Sequence, residues 1–161
     1  MGEKKKVYVE TSVISNLTAR RSSRVADVLM QLATEAWWER ARERYALFYS
    51  SVVVEEAGRG DAEAAHRRLA VLEDLAALGY DDSAVDLANR LLRSTAVPRN
   101  SFNDAMHIAI AAVNEMDILV TWNCAHIANA ETLPTIRQVC ESIGYRCPEI
   151  VTPYFMEGGM Q

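Results

Sequence analysis

Short apolar runs separated by longer amphipathic stretches constrain this chain more than any other feature. "VYV" (residues 7–9), "YALFY" (45–49), "DILVTW" (117–122) and "EIVTP" (149–153) read as buried strands. Between them the apolar residues fall at helical spacing. This predicts helices from Arg24 to Arg44, in "AEAAHRRLAVLEDLAAL" (62–78), in "YDDSAVDLANRLLRS" (80–94), in "SFNDAMHIAIAAVNEM" (101–116) and in "TIRQVCESIG" (135–144). Punctuation agrees. "GRGD" breaks the chain before a helix that Asp61 can cap and Gly79 can stop, Ser83 and Asp86 are spaced as a capping box, and Pro98 separates two helices.

Strands alternating with helices imply βαβ units, and so an α/β fold with a mostly parallel sheet and helices on both faces. At 161 residues, half of them hydrophobic, the chain fits one domain with a core that needs no disulfides. The three cysteines, Cys124, Cys140 and Cys147, form no C-x-x-C pair, and with His126 they match no common zinc spacing. No apolar run approaches the roughly 20 residues that span a bilayer. "MGEKKK" is not followed by a signal-peptide core, so a cytoplasmic location is expected.

The net charge of −5 argues against a bulk polyanion binder. The charge is uneven, however. Residues 1–68 carry 12 Lys plus Arg against 10 Asp plus Glu, and residues 69–161 carry 5 against 12. A basic local surface within an acidic protein is one reading; arginines on solvated helix faces is the other.

In open parallel sheets, ligands bind beyond the carboxyl ends of the strands. Glu10 ends the first strand, Glu55 and Glu56 follow the second, Asp104 opens the alanine-rich helix, and Asn123 follows "DILVTW". Carboxylates gathered at one place repel unless a cation neutralises them, and hard oxygen ligands favour Mg²⁺ or Mn²⁺. Each residue also has a plain structural role available. Ser101 and Asp104 are spaced as a capping box, Asn123 can cap a short helix "CAHIANA", Glu55 and Glu56 can be surface charges, and Glu10 can accept from a helix N-terminus.

The stretches "VYVETSVISNL", "SSVVVEEAGRGD", "NDAMHIAIAA" and "DILVTWNCAHIAN" resemble the successive motifs of PIN domains, in particular VapC-type toxins of bacterial toxin–antitoxin systems. The resemblance runs from about Val7 to Pro153 and marks a subgroup with "ETS" and "TWN". It implies a Rossmann-like sheet of about five parallel strands and a Mg²⁺- or Mn²⁺-dependent ribonuclease site. Matched residue by residue, the family's acidic positions fall on Glu10, Glu56, Asp104 and Asn123, and its small polar positions on Thr11 and Thr121. Two of these depart from the pattern, Glu10 and Asn123 both standing where the family usually has Asp. The substitution at 123 keeps an oxygen but lowers the ligand charge from −4 to −3.

His107, one helical turn after Asp104, shares its face and is a candidate accessory group. Trp122 beside Asn123 is a candidate for stacking on a base, whereas Trp37 and Trp38 fit packing or a dimer interface. The resemblance implies an RNA substrate, a VapB-type antitoxin partner and a homodimer. A degenerate PIN domain that binds RNA or a protein without cutting is the alternative that Asn123 favours. The absence of a G-x-G-x-x-G or P-loop sequence speaks against a nucleotide-binding α/β protein.

Overall fold

The computed structural model describes residues 2–158. Five parallel strands form one sheet in the order β3-β2-β1-β4-β5: β1 (Lys6–Val9), β2 (Ala46–Ser50), β3 (Ala76–Leu78), β4 (Ile118–Val120) and β5 (Glu149–Val151). Helices α1 (Thr11–Thr18) and α2 (Val25–Arg44) connect β1 to β2. Helices α3 (Ser51–Ala57) and α4 (Ala62–Leu72) lead to β3, and α5 (Asp82–Arg93) and α6 (Phe102–Val113) lead to β4. Helix α7 (Leu133–Ser142) leads to β5, and α8 (Pro153–Gly158) comes after it. This is the α/β, PIN-like architecture expected from the sequence.

The central strand is apolar on both faces because both are covered, as parallel sheets require: Val7, Tyr8 and Val9 are all fully buried. Helix α6 is alanine-rich for a related reason. Residues 105–112 are buried all round, since α6 lies under α5 on one side and near the sheet on the other, and small side chains allow that close packing.

The chain reverses direction across the sheet at β1. From β1 it winds outward to β2 and β3, then returns to β4 on the other side. The crevice beyond the carboxyl ends of β1 and β4 is therefore the topological switch point, where ligands of such folds bind. Glu10 leaves β1 and Thr121 leaves β4 at this point, and the backbone N–H of Glu10 still donates to Val120 O (3.1 Å).

Several local expectations change. Helix α4 ends at Leu72, and Ala76–Leu78 is an edge strand rather than its continuation; pairing with Phe48–Ser50 outweighs the helical propensity of "AAL". Helix α1, unexpected from its Ser/Thr-rich sequence, begins directly after Glu10, whose carboxylate caps it by accepting from Ser12 N–H (3.0 Å). Helix α5 is capped by Asp81 through Ser83 N–H (3.0 Å), not by Ser83. "CAHIANA" forms turns rather than a helix. Asp61 does cap α4, accepting from Ala64 N–H (2.9 Å), after a turn in which Gly60 adopts φ +83°, a conformation open to glycine.

Among the described residues no helix is long and apolar enough to cross a membrane. Trp37 is buried (2% exposed) and Trp38 packs against the core, so of the two roles the sequence offered, packing and a dimer interface, both take packing. Instead α2 exposes Val25, Leu29 and Leu32, while α8, packed beside α2, exposes Tyr154 and Phe155.

Candidate functional site

Glu10 sits at the switch point with only 5% of its surface exposed. An isolated buried carboxylate is costly, and the structure satisfies one of its oxygens thoroughly. Oε2 accepts from Ser12 N–H (3.0 Å), from the Ser12 hydroxyl, and from the Thr121 hydroxyl (2.8 Å). Thr121, fully buried, also accepts from Asn123 N–H (2.9 Å), and Ser12 Oγ accepts from Trp122 N–H (2.8 Å). The ends of β1 and β4 are thereby tied together through Glu10. Its other oxygen, Oε1, accepts no hydrogen bond among the described residues and lies 3.8 Å from His107 Nε2.

Glu56, from α3, meets Glu10 across the crevice. Thr11 Oγ1 donates to Glu56 Oε1 (2.8 Å), and His107 Nε2 lies 2.5 Å from the same oxygen. Glu55, its neighbour in sequence, points outward and pairs with Arg59 instead. Burial pushes the Glu56 carboxyl upward. The hydrogen bond and charge of His107, the Thr11 hydroxyl and the nearby Arg59 outweigh it, leaving the group below its ordinary range.

His107 is wholly buried on α6. Its Nδ1 lies 2.7 Å from the Tyr8 hydroxyl, which in turn lies 2.8 Å from Ser50 Oγ. Burial opposes protonation of the ring. The hydrogen bond to Glu56 and the charges of Glu10, Glu56 and Asp104 overcome that opposition and raise its pKa. Burial, with the charges of Glu10 and Glu56, drives the Tyr8 phenol far above its usual range despite the Ser50 hydrogen bond. Glu10, Glu56 and His107 offer ligand atoms within 4.8 Å of one another, a donor set of two carboxylates and an imidazole that suits a divalent cation.

Asp104 and Asn123 form an adjacent pair instead of entering that group. Asn123 Nδ2 donates to Asp104 Oδ1 (3.2 Å), and Asn123 Oδ1 accepts from His126 N–H (3.0 Å). The second oxygen of Asp104 faces His126 Nδ1 at 2.9 Å. Ser101 occupies the N-cap position of α6, but its side chain makes no capping bond, so the "SFND" capping box does not form. Asp104 is therefore free of helix-capping duty and only partly exposed (18% for the side chain). His126, weighed from the sequence only as a zinc ligand beside the cysteines, is a neighbour of this site; its signal was its place three residues after Asn123, within the turn that Asn123 caps.

Trp122 does not present itself as a free stacking platform. Its Nε1–H donates to Thr34 Oγ1 on α2 (2.8 Å), and its ring packs against the core. Several arginines of the basic half are likewise engaged. Arg67 donates to Thr18 O, Arg68 to Ala57 O and Arg59 O, and Arg20 pairs with Glu63.

No family model matches the sequence, and no curated protein matches it by sequence. Solved structures match it by shape. FitAcB from Neisseria gonorrhoeae aligns with a TM-score of 0.57 at 13% identity, covering 92% of this chain and 98% of that one. VapBC2 from Rickettsia felis, bound to a DNA fragment from their promoter, aligns with a TM-score of 0.55 at 15% identity over 74% of this chain and 89% of that one. VapC20 from Mycobacterium tuberculosis, a sarcin–ricin loop cleaving toxin, aligns with a TM-score of 0.50 at 15% identity over 74% and 91%. At these identities what is shared is the fold: the chain has the PIN-like fold of VapC toxin structures.

Proposed function

We propose that this protein is a metal-dependent endoribonuclease that hydrolyses RNA phosphodiester bonds, acting in the cytoplasm as the toxin of a VapBC-type pair. The observation that carries the proposal is the meeting of Glu10 and Glu56 at the switch point of a PIN-like sheet, with Glu10 Oε1 left without a hydrogen-bond donor among the described residues. Two carboxylates so close, one of them buried and with Asp104 nearby, call for more positive charge than the single unit a protonated His107 can supply, and a divalent cation provides it. Glu10, Glu56 and Asp104 hold Mg²⁺ or Mn²⁺ in this reading, and Asn123 contributes through its amide oxygen, directly or by way of water. The ion supplies activation of water and neutralisation of charge developing on the scissile phosphate. The protein supplies alignment. Ser12 and Thr121 hold Glu10 from behind, Thr11 holds Glu56, and His126 and Asn123 hold Asp104. No serine, cysteine or histidine nucleophile is required.

Loop cleavage by VapC20 supports RNA as the substrate class. Arginines of the N-terminal half steer it, so binding weakens with salt. A VapB-type antitoxin and a second copy of the chain both need apolar surface, and the exposed residues of α2 and α8 supply it.

A second reading, a PIN domain that binds RNA or a protein without cutting, draws on one observation: the Asn123 amide occupies an oxygen of Asp104 that an ion would use. An RNA cleavage assay separates the two readings. Wild-type protein with Mn²⁺ or Mg²⁺ is expected to cut, and EDTA or Asp104→Asn to stop it. Cleavage that survives either treatment contradicts the metal-nuclease reading.

A further inference from the structure

We infer that His107 is itself a metal ligand beside Glu10 and Glu56, so that the cation site at the switch point has mixed oxygen and nitrogen donors and selects Mn²⁺ over Mg²⁺. This rests on the proposed metal-dependent function and adds a ligand to it. The ring is aimed at the carboxylates by its hydrogen bond to Glu56, and that aim is the one a metal ligand needs. His107, with no exposed surface, directs Nε2 to within 2.5 Å of Glu56 and 3.8 Å of Glu10. The ligand atoms lie within 4.8 Å of one another. Neighbouring ligands of an ion with bonds of about 2.1 Å lie about 3.0 Å apart, so His107 and Glu56 must part by about half an ångström, and Glu10 move in by less than about 1 Å, for all three to share one ion.

A second observation points the same way. Glu10 Oε1 faces the group and accepts no hydrogen bond among the described residues, while Oε2 is triply satisfied, so Oε1 is the oxygen left available at the crevice. A carboxylate held this way is oriented rather than neutralised.

The third observation concerns the far side of the ring. Metal-ligating histidines hold their other ring nitrogen to an acceptor, which fixes the tautomer and the ring plane. His107 Nδ1 meets the Tyr8 hydroxyl at 2.7 Å, and that hydroxyl has Ser50 Oγ at 2.8 Å to receive its own proton. In this structure Nε2–H donates to Glu56, so a bound ion would take the place of that proton; with Nδ1–H donating to Tyr8 and Tyr8 donating to Ser50, the Nε2 lone pair would then face Glu10 and Glu56. Tyr8 and Ser50 come from β1 and β2, so the sheet itself orients the ligand. An imidazole nitrogen is a softer donor than a carboxylate or water oxygen, and a transition ion such as Mn²⁺ accepts it more readily than Mg²⁺ does, which gives the site its selectivity.

The test is pulsed electron paramagnetic resonance of the full chain loaded with Mn²⁺, which detects nitrogen bonded to the ion independently of any RNA cleavage. The expected result is a directly coordinated ¹⁴N signal that changes to the ¹⁵N pattern when histidine alone is labelled. That labelling needs no variant and so cannot fail through misfolding. The chain has three histidines; the signal should persist in His126→Gln and His66→Gln and vanish in His107→Gln. His107→Gln should also weaken Mn²⁺ binding by about tenfold or more, with a smaller change for Mg²⁺. Bound Mn²⁺ that is lost in Glu10→Gln but shows no nitrogen coupling overturns the inference and leaves the nuclease reading standing. Failure of the wild type to bind Mn²⁺ at all overturns both.

Discussion

Replacing Asn123 by Asp restores the acidic residue that the PIN pattern carries, and it sets a new carboxylate against Asp104. In the wild-type structure Asn123 Nδ2 donates to Asp104 Oδ1 at 3.2 Å. In Asn123→Asp that hydrogen bond becomes an approach of two carboxylates. Unit charges 4 Å apart repel by about 1 kcal/mol in water and about 4 kcal/mol at an effective dielectric of 20. The Asp104 side chain is 18% exposed, which puts the cost between these limits. The cap on the turn after Asn123 is kept, since Asp can still accept from His126 N–H, so the loss isolates the charge pair. For a chain of this length 1 kcal/mol is about 2–4 °C in melting temperature. The variant without divalent ions should therefore melt roughly 2–16 °C below wild type. Mn²⁺ should raise its melting temperature more than that of wild type, and metal affinity should increase, with cleavage equal or greater. The assay is a thermal melt in EDTA and in Mn²⁺, with metal titration alongside. An unchanged melting temperature in EDTA, or equal stabilisation of the two proteins by Mn²⁺, would rule out the charge-pair effect and reduce Asn123 to a turn cap.

Thr121→Val keeps the shape of a fully buried side chain but removes the donor to Glu10 and the acceptor for Asn123 N–H; denaturant melts should show a loss of about 1–3 kcal/mol. Trp122→Phe removes the hydrogen bond to Thr34 and should lower stability by about 1 kcal/mol while leaving RNA affinity in a filter-binding assay unchanged; a large affinity loss at constant stability would restore the stacking role. Asp117 is held below the ordinary carboxylate range by the backbone N–H of Lys6, against burial and with help from Arg146. A depressed folded-state pKa stabilises above the unfolded value of about 3.9, and the gain disappears as pH falls through the folded value. Asp117→Asn should thus cost stability in melts at neutral pH, and the gap from wild type should close below about pH 4.

Much of the fold is legible because four of the five strands carry dense β-branched or aromatic residues. β3 is not, because "AAL" continues a helical run without a break and becomes a strand only through Phe48–Ser50 beside it. Helix α1 escapes for a different reason: its N-cap is Glu10, a residue that sequence rules do not favour at that position. At the site, the order of the acidic positions is legible and their companionship is not. Nothing local distinguishes Glu56 from Glu55. Only the PIN pattern singles out Glu56, and in the fold it faces Thr11 and His107 while Glu55 faces Arg59. The chain of Ser50, Tyr8 and His107 joins residues up to 99 positions apart, a relation that no window of sequence contains.

Adjacent glutamates offer the sharpest check on the Glu10–Glu56 crevice as a metal-dependent RNA-cleaving centre, because one faces the crevice and the other does not. Cleavage of a single-stranded RNA in Mn²⁺ should be abolished in Glu56→Gln and preserved in Glu55→Gln. Equal activity in the two variants would remove the crevice from the chemistry.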